Sequence, residues 1–230
     1  MVGLILTTFN FKEATARCLE SLLAVTPGDT RLLVVDNSST DGTAALLASF
    51  GCEVIYNREA ISLARALNQG LSHLLRDRQI RYIGWIHNDM LFYPGWLEGL
   101  VETLASYPRL GKLAPYNFTG TPPPEPAVVA EFTSRHRGHL EPGNACPWLM
   151  PRLAVAMAGF FDEDFLHCGG YEDWDYNNRL LDAGYQVMIT RGSAVWHETM
   201  GTRKHTNQDR WSRHNAEVYH RKWGQWTPRV

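Results

Sequence analysis

Short apolar runs alternate with longer amphipathic segments over the first hundred residues. Each run has the length of a strand covered on both faces, and the segments between them space their apolar residues as a helix does. The predicted strands are Val2–Thr7, Arg31–Val35, Glu53–Tyr56 and Arg81–Ile86. The predicted helices are Lys12–Val25, Thr43–Phe50, Ile61–Arg76 and Pro94–Tyr107. This alternation predicts an α/β fold with a mostly parallel central sheet and helices on both faces.

The pattern becomes less regular after Leu110. Residues 120–126 are rich in proline, which removes backbone donors and restricts the preceding residue, so we expect an irregular loop there. Further elements are expected as a strand and helix within Trp148–Gly159, strands at Gln186–Thr190 and Ala194–Trp196, and a helix at Asn207–Trp223. With no repeat and no clear linker, residues 1–230 are interpreted as one domain with parts 1–110, 111–206 and 207–230.

Composition and charge exclude several classes of protein. The chain has 230 residues, 44% of them apolar, and a net charge of −2, so bulk charge gives no case for binding nucleic acid or an anionic membrane. Its four cysteines lack zinc-ligand spacing, which is typical of buried thiols in a reducing compartment. The chain opens on a strand pattern, and no apolar run approaches the ~20 residues of a membrane span. We therefore expect a cytoplasmic location and no integral membrane segment.

Three polar clusters follow predicted strands. They contain Thr7 and Asn10, then Asp36 within a Ser/Thr/Asp-rich turn, and then His87, Asn88 and Asp89. Ligands of such sheets bind beyond the carboxyl ends of the strands, so we expect the clusters to meet at one site. Asp36 could accept hydrogen bonds from a ribose or base, or could simply form an Asx turn. Asp89 could hold Mg²⁺ or Mn²⁺, or belong to a polar turn, and His87 is expected to be the weakest member.

Two later features are also candidates. His197 follows the apolar Ala194–Trp196, where a neutral imidazole could bind a metal ion or be structural. The basic stretch Thr199–His205 supplies Arg203, which could fold over a diphosphate or lie in a solvated loop.

Glu172 and Asp173 begin a predicted helix after two glycines. The helix dipole favours carboxylates in a first turn, Asp175 and Arg179 have the i, i+4 spacing of an ion pair, and Gly184 is placed to end the helix. Asp173 could thus be a rigidly held carboxylate at the mouth of a site. The alternative is an ordinary acidic helix start.

Taken together, these motifs resemble the family 2 glycosyltransferases, which have the GT-A fold. The resemblance runs from Val2 to about Lys204. The matching segments are Val34–Thr43 (VVDNSSTDGT), Asn68–Gly70, Trp85–Asp89 with Pro94–Leu97, Gly159–Glu163 and Glu172–Tyr185. The chain departs from the family where His87 replaces the first acidic residue of the metal motif. It also departs at Ala145–Arg152, where Pro147 and Trp148 could reshape the acceptor pocket.

The resemblance implies inverting, hexosyltransferase-type transfer from a UDP-, GDP- or dTDP-sugar. The acceptor would be a hydroxyl on a glycan, a lipid-linked sugar or a protein, with single rather than processive addition. Residues 1–110 would bind the donor and residues 111–206 the acceptor. The implied roles are Asp173 as general base beside Glu172, Asp89 and His197 as ligands of Mn²⁺ or Mg²⁺, and donor contacts from Thr7, Asn10, Asp36, Asn68, Asn88 and Arg203.

Other functions stay open at this stage. A non-catalytic sugar- or nucleotide-binding module is one. A sugar nucleotidyltransferase is less favoured because residues 7–12 are not glycine-rich, and a dehydrogenase is disfavoured because no GxGxxG follows the first strand. Trp148, Trp174 and Trp196 could stack on sugar rings, but large aromatic residues are more often in the core.

Overall fold

The computed structural model describes residues 1–167, 170–198 and 209–230. Its strands are β1 (Val2–Thr8), β2 (Arg31–Asp36), β3 (Glu53–Tyr56), β4 (Tyr82–His87), β5 (Met90–Phe92), β6 (Leu110–Phe118), β7 (Leu140–Pro142), β8 (Trp148–Pro151) and β9 (Gln186–His197). Its helices are α1 (Lys12–Val25), α2 (Thr43–Ser49), α3 (Leu63–Leu74), α4 (Trp96–Ser106), α5 (Pro126–Arg135), α6 (Arg152–Ala158), α7 (Glu172–Asp182) and α8 (Asp209–Trp223).

One sheet runs through the described residues in the order β3-β2-β1-β4-β8-β6-β9-β5, and β7 pairs with β9. The N-terminal strands β3, β2, β1 and β4 are parallel. Strand β8 runs antiparallel to both β4 and β6, whereas β6 and β9 are parallel. The predicted α/β class is confirmed, and the sheet is mixed, because parallel pairs are combined with antiparallel pairs that involve β5, β7 and β8.

The elements of the first half agree closely with the predicted bounds, because short buried strands and amphipathic helices have distinct periods. Strands β5, β6 and β7 and helix α5 were not predicted. The two late strands form the single strand β9, in which residues 191–193 bulge where the register with β6 shifts. The bulge explains why the apolar pattern breaks in the middle of the strand.

Apolar layers cover both faces of the sheet. Alternate residues of β1 point to opposite sides, so Ile5 packs under α3 with Leu67 and Leu71, while Leu4 and Leu6 pack on the other face. Helix α3 approaches β1 closely at Gly70, where an added Cβ would lie 2.7 Å from a side-chain carbon of Ile5. The close packing sets the position of α3 against the sheet.

The C-terminal helix α8 is fixed to α7 by polar contacts. Asp175 is fully buried and accepts a hydrogen bond from the indole of Trp223 at 3.0 Å, and Nζ of Lys222 lies 2.6 Å from the same oxygen. The predicted pair forms, since Nε of Arg179 donates to Asp175 at 3.0 Å. Asp175 is therefore structural and holds α8 beside the start of α7.

The tryptophans considered as sugar platforms lie against other residues of the fold. Trp148 belongs to the main core, Trp196 packs with Tyr93, and Trp174 packs against Tyr219. Among the described residues, no helix combines the length and the apolar character needed to cross a membrane.

Candidate active site

Hydrogen bonds at the ends of β1 and β2 fix the position of Asp36. The parallel register sets Thr8 opposite Asp36, and the Thr8 hydroxyl donates to Oδ1 of Asp36 at 2.8 Å. The backbone amide of Ser39 donates to Oδ2 at 3.3 Å. Asp36 is only 3% exposed, so these donors hold its carboxylate in one orientation. Thr7, a predicted donor contact, is partly exposed, and its hydroxyl accepts a hydrogen bond from the indole of Trp85 at 3.0 Å.

Asn10 connects the loops that follow β1 and β2. Its φ of 59° is left-handed, a conformation that asparagine tolerates better than most residues. Its side-chain oxygen accepts from the backbone amide of Thr40 at 2.8 Å. Its own backbone amide donates to the Ser39 hydroxyl, also at 2.8 Å. The two loops thus form one edge beside Asp36.

Asn68 and Asn88 hold parts of the site together. The Asn88 amide is 4% exposed and donates to the hydroxyl of Thr15 at 2.9 Å, which ties β4 to α1. Asn68 exchanges hydrogen bonds with the backbone of Phe161, donating at 2.9 Å and accepting at 2.8 Å. Both contacts anchor the loops on which the candidate site is built.

His87, Asp89 and His197 bring their ligand atoms within 4.8 Å of one another. Oδ1 of Asp89 lies 3.2 Å from Nε2 of His197 and 3.8 Å from Nδ1 of His87. The sequence analysis ranked His87 as the weakest member, but the structure places it in the cluster. His87 is the last residue of β4, so it lies at the same end of the strand as Asp89.

Electrostatics favour the carboxylate form of Asp89. Burial raises its pKa, but the hydrogen bond from His197 and the charges of the two histidines outweigh burial and leave the pKa below its ordinary value. Its Oδ1 is buried and faces the rings of both histidines. Two imidazoles and one carboxylate are suitable ligands for a divalent transition-metal ion.

Asp173 lies at the start of α7, as predicted. Its Oδ2 accepts from the amide of Asn144 at 2.8 Å, and its Oδ1 accepts from Nζ of Lys112. Its side chain is 17% exposed, whereas the neighbouring Glu172 is 5% exposed. The preceding turn uses left-handed backbone at Gly170, which has φ of 80°.

Lys112 and Asn144 were missed by the sequence analysis. A signal was present in Lys112, because a lysine stands between apolar residues of what proves to be the buried strand β6. Lysine is almost never fully buried unless it is paired. Nothing in the sequence indicated which anion would be its partner.

A row of aromatic rings lies between the His/Asp/His cluster and Lys112. The His87 ring lies 4.4 Å from the ring of Trp85, and Trp85 lies 5.8 Å from Trp148. Nζ of Lys112 is 5.2 Å from the ring of Trp148. Burial raises the pKa of the Cys146 thiol well above its ordinary value, and the negative charge of Asp173 adds to this effect. The charge of Asp89 acts on the same thiol, so the His/Asp/His cluster and Asp173 lie in the same part of the molecule, on either side of buried residues.

Arg203, the remaining predicted donor contact, lies outside the described residues, as does all of 199–208.

Solved structures share this architecture. A mannosyltransferase from Pyrobaculum calidifontis, in complex with GDP-Man and Mn²⁺, matches with a TM-score of 0.69 at 19% identity. The match covers 94% of this chain and 61% of that one. GalNAc-T7 with UDP, GalNAc and Mn²⁺ matches with a TM-score of 0.68 at 12% identity, over 86% of this chain and 44% of that chain. These similarities establish the GT-A fold.

Sequence comparison gives the family. The profile described as glycosyl transferase family 2 matches residues 4–165, which is most of the chain. An uncharacterized glycosyltransferase of Rickettsia typhi is 23% identical over 224 residues, covering 90% of this chain and 68% of the relative. The chain belongs to glycosyl transferase family 2, and the predicted family and fold are confirmed.

Proposed function

We propose that this family 2 glycosyltransferase carries out inverting transfer from a nucleotide-diphospho-sugar to a hydroxyl acceptor, with a divalent cation. The observation that supports the proposal is the convergence of His87, Asp89 and His197, with Asp173 in the same part of the molecule, since Asp173 and Asp89 both act on the Cys146 thiol. One carboxylate is available to an acceptor, and a separate ligand set is available to a cation.

The donor would lie along the edge formed by β1, β2 and β4. Asp36 is oriented by Thr8 and Ser39, so its carboxylate is prepared to accept hydrogen bonds from the nucleoside. Asn10 and Asn88 hold the loops around it. The two structural neighbours contain UDP and GDP-Man, so both nucleotides, together with dTDP, are candidates for the donor of this chain.

His87, Asp89 and His197 are the residues that would hold Mn²⁺ or Mg²⁺. Their donor set fits such an ion, because two imidazoles and a buried carboxylate oxygen converge. When bound, the cation would neutralise charge on the diphosphate as it leaves.

Asp173 would act as the general base. The acceptor O–H bond breaks and its proton passes to the carboxylate, while the acceptor oxygen forms a bond to the anomeric carbon. The bond from that carbon to the diphosphate oxygen breaks, and its electron pair leaves with the nucleoside diphosphate. Attack from the face opposite the leaving group inverts the configuration. The acceptor would be a glycan, a lipid-linked sugar or a protein.

Substitution of the base tests the proposal. Asp173→Asn should lower kcat by about 10²–10⁴-fold, the usual contribution of a general base, and leave donor affinity unchanged. Asp182→Asn, a control at the exposed end of the same helix, should retain activity. An Asp173→Asn enzyme that transfers sugar at the wild-type rate would overturn the assignment.

The donor can be found by thermal shift. A panel of UDP, GDP, dTDP and their sugars, each with and without Mn²⁺, should show one nucleotide that stabilises the fold in the presence of the cation. Donor binding followed by no transfer or hydrolysis with any acceptor would instead favour a non-catalytic binding module.

A further inference from the structure

Lys112 is a buried lysine whose ammonium group is fully engaged. It lies on β6 with 1% of its surface exposed. Its Nζ donates to Oδ1 of Asp173, to the side-chain oxygen of Asn144 at 2.8 Å and to that of Asn177 at 2.9 Å. An ammonium group has three N–H donors, so all of them are used.

Stability alone does not account for a charge at this position. Burial lowers the pKa of Lys112, and Asp173 offsets this only in part. Taking an ion pair out of water costs about as much as the pair regains, and well-packed apolar residues often serve equally well. What the pair supplies instead is a fixed charge beside one particular carboxylate.

Asn144 completes a triangle around that carboxylate. It accepts a hydrogen bond from Lys112 and donates to Oδ2 of Asp173 at 2.8 Å. Each oxygen of Asp173 therefore has one fixed donor, and each keeps acceptor capacity for a further hydrogen bond. The 17% of the side chain that stays exposed gives an acceptor hydroxyl access to it.

Several acidic groups lie near Asp173. Glu172 is adjacent and almost buried, and Cys146 and Tyr176 are acids within electrostatic range. Lys112 is the cation that opposes them among the described residues in contact with Asp173.

We propose that Lys112 is a positioning residue that, with Asn144, holds a fixed positive charge beside Asp173 and aims its carboxylate at the acceptor hydroxyl. The proposal rests on the proposed function, in which Asp173 is the general base. Lys112 keeps its proton throughout, and the proton from the acceptor goes to Asp173.

A double-mutant cycle tests the role. Lys112→Met removes the charge and keeps most of the length of the side chain. It should move the acid limb of a plot of kcat against pH upward by about one to three pH units, the effect expected of an opposite charge at contact distance. Donor affinity should not change. In an Asp173→Asn background the same substitution should cost little further activity, because Lys112 acts through Asp173.

Two further variants act as controls. Lys222→Met removes another lysine that pairs with aspartates, at the junction of α7 and α8, and should leave the acid limb in place. Asn144→Ala removes the second fixed donor without leaving a charge unpaired, so it stays informative if Lys112→Met fails to fold. It should lower kcat about tenfold through loss of orientation, with donor affinity retained.

The outcomes separate the two proposals. An unchanged acid limb in Lys112→Met, or full activity in Asn144→Ala, would overturn the positioning role while Asp173→Asn stays inactive. An active Asp173→Asn enzyme would instead show that the base itself is wrongly assigned.

Discussion

Nε2 of His197 lies 3.2 Å from Oδ1 of Asp89, although the two residues are far apart in the chain. The antiparallel pairing of β5 with β9 produces this proximity, because Met90 is in register with His197. The backbone amide of Glu198 also donates to the carbonyl of Asp89 at 2.9 Å, which holds the junction of these strands together. A three-residue strand thus determines where the candidate cation ligands meet.

This geometry predicts a cation preference and a role for His87. Imidazole ligands suit Mn²⁺ better than Mg²⁺, so the wild-type protein should bind Mn²⁺ more tightly. His87→Ala should weaken Mn²⁺ binding at least about tenfold, since loss of even an outer-shell partner has that effect. Electron paramagnetic resonance of free Mn²⁺ measures the binding of Mn²⁺ directly and that of Mg²⁺ by competition, without any assay of activity.

His214→Ala is the matched control, because this histidine lies on α8 and contacts the backbone of Asp164. It should bind Mn²⁺ as the wild type does. Equal affinity for the two cations, or no loss in His87→Ala, would contradict the ligand set.

Asp36 should contribute to donor affinity. Asp36→Asn keeps the size of the side chain and removes its charge, so its hydrogen bonds to the nucleoside weaken. A hydrogen bond to a charged group contributes about 1.5–3 kcal/mol, which predicts a roughly 10- to 100-fold higher Kd for the nucleotide by calorimetry. Asp41→Asn is the control in the same loop, because Asp41 accepts from the backbone amide and the hydroxyl of Thr43 at the start of α2. The Asp36 role fails if both variants bind the nucleotide equally well.

The lowered pKa of Asp162 leads us to expect that the stability of the fold depends on pH. Burial raises its pKa, but the hydrogen bonds from Lys222 and the Asp164 amide outweigh burial and lower the pKa overall. A carboxyl group with a depressed folded-state pKa stabilises the fold above its ordinary pKa and loses this effect as the pH falls through the depressed value. Asp162→Asn should therefore lower Tm at pH 7. The free energy of unfolding should fall by less than about 1 kcal/mol, because the pair is partly exposed.

The difference in Tm between Asp162→Asn and the wild type should shrink between pH 7 and a low pH, once the pH has fallen below the ordinary aspartate pKa of about 3.9 and through the depressed value. The exposed Asp29→Asn is the control and should follow the wild type at both pH values. A difference in Tm of equal size at both pH values would show that packing, rather than charge, is responsible.

Gly70 should not tolerate a side chain. Alanine normally stabilises a helix interior by about 1 kcal/mol relative to glycine. At Gly70, however, the new Cβ would lie 2.7 Å from a carbon of the fully buried Ile5. Overpacking of this kind costs about 1–3 kcal/mol, so urea denaturation should show a net loss of stability.

Gly28→Ala is the control for Gly70, since a Cβ at Gly28 would have no atom within 4 Å. Its midpoint in urea should stay close to that of the wild type. Stabilisation by Gly70→Ala would mean that α3 can move away from β1.

Local signals in the sequence were sufficient for the first half of the fold and for α7. Alternating apolar runs and amphipathic segments gave β1 to β4 and α1 to α4 within a few residues, since each period reflects contacts along one element. The ion pair of Asp175 and Arg179 was predictable for the same reason, because helix geometry alone brings i and i+4 together.

The donor-side prediction was less specific at the level of single residues. The loops after β1 and β4 do meet, where Asn88 donates to the carbonyl of Asn10, and it is Thr8 that contacts Asp36. Successive residues of a strand point to opposite faces, so Thr7 and Thr8 have different neighbours, and the strand-end rule does not say which of them binds Asp36.

By itself, the sequence determined the family, the α/β class and the edge of the sheet where polar residues gather, because these follow from local periodicity and ordered motifs. Only the tertiary structure decided that His87 joins Asp89 and His197, and that Lys112 and Asn144 hold Asp173. These contacts depend on strands β5, β6 and β9, whose pairing is non-local. The register between distant strands is set by the packing of the whole sheet, and no short stretch of sequence encodes it.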